Sequence, residues 1–154
     1  MRFMLGGVAL SIISAGAWAD DFDSQQALNT EVMRGLISAL TASDSTKITA
    51  IDGRIDYAPD YFTQSAITPV RMVELFAGCT PAPMETALRF RDTTVLKFQC
   101  LGREASGPCS TGDLKIMIFQ DHGTAVGVSE EQSNAPGCLP PAPPAAPRSK
   151  VEQN

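Results

Sequence analysis

Leu114-Lys115-Ile116-Met117-Ile118-Phe119-Gln120 decides how the rest of the chain is read. Leu114, Ile116 and Ile118 alternate with Lys115, Met117 and Phe119, and both sets are largely apolar. That pattern predicts a central strand covered on both faces. The same period recurs outward from it. Thr94–Leu101 alternates Leu96, Phe98 and Cys100 against Val95, Lys97 and Gln99, and Thr86–Arg91 alternates through Leu88 and Phe90. Arg91-Asp92 reads as a turn between strands. Asp121-His122-Gly123 reads as another, leading into a last strand, Ala125–Glu130, with Val126 and Val128 inward. Short connections between consecutive strands predict antiparallel pairing.

Ahead of the strands the period changes. Over Ser24–Thr41, Leu28, Val32, Leu36 and Leu40 recur every four residues, and Met33 and Ile37 widen the stripe into an amphipathic helix. Asp23 suits its N-cap, with Gln26 completing a capping-box-like pair. A shorter helix is predicted from Thr68-Pro69, with threonine at the N-cap, proline at the first position and Gly78 as the left-handed residue past its end. Met72, Val73, Phe76 and Ala77 form its apolar face, and Pro81 and Pro83 prevent its continuation. Between the helices, Asp52-Gly53 separates Ile48–Ile51 from Arg54–Tyr57 and reads as a type I′ hairpin, with one extended segment running into Tyr57 as its rival. These elements define a single α+β domain.

Both ends differ from this body. Met1-Arg2 is a short basic start, Phe3–Gly16 is apolar, and Ala17-Trp18-Ala19 is a small-x-small cleavage site before Asp20-Asp21. That order predicts an exported protein, periplasmic or secreted, with residues 1–19 a signal removed after Ala19. The apolar run is too short for a permanent anchor, and no later run would span a membrane. Residues 20–134 form the domain. Six of the eleven prolines lie between Pro136 and Pro147, so residues 135–154 are read as a disordered Pro-rich tail.

All four cysteines, Cys79, Cys100, Cys109 and Cys138, would reach an oxidising compartment, which predicts two disulfides stapling a small domain. Four cysteines allow three pairings. Closing the Gly102–Pro108 loop across a hairpin mouth favours Cys100–Cys109, leaving Cys79–Cys138. No C-x-x-C spacing supports a redox role. His122 is the only histidine and lies far from a cysteine pair, so no metal site is expected. With 12 basic and 17 acidic residues the chain would be repelled by nucleic acid. Motifs for serine hydrolases, P-loops, dinucleotide binding and zinc proteases are absent, and no cofactor is expected.

Three candidate sites remain. Asp56, Tyr57, Asp60 and Tyr61 pair carboxylates with phenols that would serve acid–base chemistry in a pocket, against the plainer reading of a solvated loop around Pro59. Arg71 suits an anionic ligand, but is equally placed to pair with Glu74 one turn on. His122 titrates near neutrality, yet its turn position reads as exposed.

An amphipathic helix, a short second helix and a long antiparallel meander ending in strand, acidic-x-Gly turn and strand resembles the NTF2-like (SnoaL-like) superfamily. Leu96–Cys100, Leu114–Phe119 and Phe119–Val126 carry the likeness, and Asp56–Phe62 is similar to the family's acidic and aromatic stretch before its mid-chain helix. The resemblance implies a curved sheet wrapped by helices around a conical pocket, used for catalysis, ligand binding or dimerisation. Two features depart from it. The family has two helices before its first strand, where Ile48–Tyr57 reads as β. Its acid–histidine pairs also have no counterpart here. The expected function is therefore non-catalytic binding of a small apolar ligand or a protein partner in the cell envelope, with a homodimer possible. An Asp/Tyr hydrolase or isomerase is the first alternative, and an assembly protein acting through its surface or Pro-rich tail is the second.

Overall fold

The computed structural model describes residues 16–49, 51, 53–57, 65–120 and 123–138. Asp52, Asp60, Tyr61, Asp121, His122 and residues 139–154 lie outside them, as do residues 1–15. Over the described residues the architecture is α+β, with three helices on an open, curved, seven-stranded sheet.

Helix α1 spans Gly16–Thr41. It starts earlier than the expected Ser24, because Ala17, Trp18 and Ala19 continue the helix. Asp23 is therefore inside the helix and caps nothing at its start. The buried side chains are Gln26, Asn29, Met33, Leu36 and Ala39. Their spacing of three and four follows the 3.6-residue turn, whereas a strict four-residue repeat drifts about 40° per step. Leu28 is consequently 51% exposed. Gln26 donates to the Arg91 carbonyl and accepts from Thr94 Oγ1 at 2.8 Å, and Asn29 Nδ2 donates to the Asp92 carbonyl at 2.6 Å. These two amides tie the helix to the Arg91-Asp92 turn, where Arg91 has a φ of 41°. Asn29→Ala is expected to cost about 1–2 kcal/mol in chemical denaturation, because the turn loses a buried donor. Leu28→Ala should change stability by less than about 0.5 kcal/mol.

The expected Ile48–Tyr57 hairpin is overturned. Ser45–Thr49 is a short helix, α2, started by Asp44, whose Oδ1 accepts from the Thr46 and Lys47 amides at 3.1 and 3.4 Å. Ile48 is buried beneath it. Strand β1, Gly53–Tyr57, then pairs antiparallel with β2, Ser65–Ala66, and parallel with the last strand. The helix from Thr68 forms as expected: α3 spans Pro69–Leu75, Thr68 accepts from the Arg71 amide, and Gly78 adopts a φ of 77°.

The remaining strands are β3 (Cys79–Pro81), β4 (Leu88–Phe90), β5 (Thr93–Cys100), β6 (Ser110–Phe119) and β7 (Thr124–Gln132). The sheet order is β2-β1-β7-β6-β5-β3, with β4 also on β5. β3 and β4 share one edge of β5, opposite residues 98–100 and 93–95. The β4–β5–β6–β7 meander is antiparallel as expected, but the β1–β7 pairing makes the sheet mixed.

One face of the sheet carries the core. Ile55, Leu96, Phe98, Leu114, Ile116, Ile118, Val126 and Val128 are buried with Met33, Leu36, Ile48, Met72 and Phe76 from the helices. Phe76 and Phe98 meet edge to face at 4.9 Å. The expectation that β6 is covered on both faces fails: Lys115, Met117 and Phe119 are only half-buried.

Two disulfides are present, but not with the expected pairing. Cys79 and Cys100 are direct cross-strand partners on β3 and β5 and are bonded. Cys109 precedes β6 and Cys138 follows the turn after β7; these strands are neighbours, and the second bond joins their ends. Pairing across the sheet, rather than closure of the shortest loop, decides the connectivity.

Candidate functional site

The densest polar constellation sits at the end of β7. Val126 and Val128 face the core, and the two-residue period carries Glu130 to the same face, where it is 5% exposed. Four groups converge on its carboxylate. Arg103 Nη2 donates at 3.1 Å, Ser110 Oγ at 2.6 Å and Tyr57 OH at 3.3 Å, and Ser106 Oγ donates as well. Arg103 also donates through Nη1 to the Leu75 carbonyl at 3.1 Å, tying the β5–β6 connection to α3.

Local backbone shape makes this convergence possible. The β6–β7 register shifts between Ser110 and Leu114, and Gly112 within it has a φ of 78°. A Cβ at Gly112 would lie 3.0 Å from the Arg103 carbonyl oxygen, so only glycine lets the connection fold back this closely.

Burial alone would raise the Glu130 carboxyl, but hydrogen bonds from Ser106, Ser110 and Arg103, with the Arg103 charge, outweigh it and hold it at about 2. Burial, and then the Glu130 charge, push the Tyr57 phenol above its ordinary value. A carboxylate so firmly ionised and so fully engaged is a poor proton shuttle near neutrality. Its chemistry is that of a clamp.

The sequence-derived candidates separate. Tyr57 enters this cluster, while strand alternation puts its neighbour Asp56 on the opposite face of β1. Asp60 and Tyr61 lie outside the described residues. Arg71 is exposed on α3 and pairs with Glu74 at 2.9 Å. Glu130, Arg103, Ser106 and Ser110 were not singled out from sequence. The available signal was a glutamate in phase with Val126 and Val128, where an apolar residue is expected.

A second feature is the outward face of the sheet. Leu88 and Phe90 are each 56% exposed there. Val95, Met117, Phe119 and Ala125 continue the patch across β5, β6 and β7, each half-buried and uncovered by any of the described helices. Met117 lies against Gly127, whose missing side chain leaves room for it. Two ion pairs border the patch, Lys97–Asp113 at 3.3 Å and Lys115–Glu131 at 3.0 Å.

No helix among the described residues is long and apolar enough to cross a membrane, and no three His, Cys, Asp or Glu side chains among them are grouped to hold a metal ion. Comparison with known proteins found no matching family model, curated protein or solved structure.

Proposed function

We propose that the chain is an exported, non-catalytic binding domain of the cell envelope whose open sheet face is occupied by a second copy of itself. The uncovered apolar face carries this reading. An exposed patch that crosses four strands costs solvation free energy and marks an interaction surface. Among the described residues the inner face is a packed apolar cluster covered by the helices.

A second copy suits the patch because the flanking charges are already paired within each chain. Burial against an identical face therefore leaves no charge uncompensated. Export is supported by the basic-apolar-small leader and by the two closed disulfides. The NTF2-like resemblance supports the reading too, since it implies a scaffold used for ligand binding or dimerisation.

The test is light scattering coupled to gel filtration on the processed chain. A dimer at micromolar concentration is expected, with Phe90→Lys/Met117→Lys monomeric and folded by circular dichroism. A wild-type chain that stays monomeric at about 100 μM would sink the proposal, since the implied affinity is weaker than about −5.5 kcal/mol.

A further inference from the structure

We propose that the groove between α1 and β4 is an oxyanion site, built to take a phosphate or carboxylate group between Arg34 and Arg89. The groove is open to solvent, has a volume of about 340 Å³ and is lined by Asp23, Gln26, Ala27, Thr30, Arg34 and Arg89. That volume is at the small end of ligand sites and suits a compact anion.

Charge pairing elsewhere singles these arginines out. Eight lysines and arginines have described side chains. Five pair with carboxylates: Lys47, Arg71, Lys97, Arg103 and Lys115. The three without an ion pair, Arg34, Arg89 and Arg91, all lie where α1 meets β4 and its turn. A net charge of −5 offers carboxylates in excess, yet this corner leaves its guanidinium groups open.

The floor of the groove is already satisfied. Gln26 is committed to Arg91 and Thr94, and the Thr30 hydroxyl donates to the Gln26 carbonyl at 2.7 Å. The basic groups left for a ligand are the two planar forks, which match an oxyanion's paired oxygens. Asp23, at the other end of the groove about 16 Å along the helix axis, forms no ion pair with Arg34 or Arg89 among the described residues. Asp92, in the turn, accepts from Thr93 Oγ1 at 3.2 Å.

Calorimetric titration of the processed full chain with inorganic phosphate at constant ionic strength tests the site. Saturable binding is expected, weakened about tenfold or more by Arg34→Gln or Arg89→Gln and unchanged by Arg71→Gln. Both arginines are exposed and unbonded, so the variants should fold, and Arg34→Lys should restore part of the binding. Phosphatidylglycerol vesicles form the second arm: retention that needs both arginines assigns the oxyanion to a lipid headgroup, and phosphate binding without retention assigns it to a soluble ligand. Phosphate behaving like chloride, with no arginine-dependent retention, overturns the proposal, as does equal weakening by Arg71→Gln. Phe90→Lys/Met117→Lys should keep phosphate binding, so this outcome is separable from that of the sheet face.

Discussion

Glu130→Ala is expected to destabilise the fold more than any other single substitution considered, by about 3–5 kcal/mol in urea unfolding at pH 7. The loss is large because the substitution strands what surrounds it. Arg103 keeps its charge beside the core with its carboxylate gone, and Tyr57, Ser106 and Ser110 lose their common acceptor. A cost below about 1 kcal/mol would show that water replaces the carboxylate freely.

The same residue gives the molecule an acid-sensitive stability. Its folded pKa of about 2 lies below the ordinary value of 4.5, so the folded state binds this proton less readily than the unfolded chain. The contribution is fully present above about pH 5 and disappears as pH falls through 4.5 toward 2, on the order of 3 kcal/mol in all. Unfolding free energy measured across that interval should fall in the wild type. In Glu130→Gln the fall attributable to this group should vanish.

Removing the second disulfide as Cys109→Ser/Cys138→Ser is expected to cost about 3.5 kcal/mol. The bond closes a segment with a sequence separation of 29, and loop-closure entropy of the unfolded chain sets that magnitude. It also anchors the segment in which the Ser133 amide donates to the Cys109 carbonyl at 2.6 Å, next to Ser110 and its bond to Glu130. Peptide mapping without reduction should recover Cys79 linked to Cys100 and Cys109 linked to Cys138. A Cys100–Cys109 peptide would refute this arrangement. Since domains of this size have about 5–15 kcal/mol in hand, loss of both bonds should leave the chain close to unfolding at 37 °C.

The meander was legible in the sequence because alternation is a local property: Leu96 and Phe98, Leu114 to Ile118, and Val126 with Val128 each declare a face within a few residues. The α3 boundary was legible for the same reason, through Thr68 and Pro69. What the sequence concealed was set by distant partners. Asp52-Gly53 carries a hairpin signal, yet β1 finds its mate about 70 residues later in β7, while Asp44 draws Ser45–Thr49 into a helix. Cysteine spacing does not encode which strands are neighbours. The partners of Glu130 lie 20, 24, 27 and 73 residues away, beyond the reach of any motif.

The sheet closes at both margins with very little strand. Among the described residues one border is β2, of two residues; the other is divided between β3 and β4, of three each, and β3 ends in Pro81, which has no amide hydrogen to offer. Borders so brief give an incoming chain almost no ladder to extend, which protects a concentrated protein from runaway fibrillar growth.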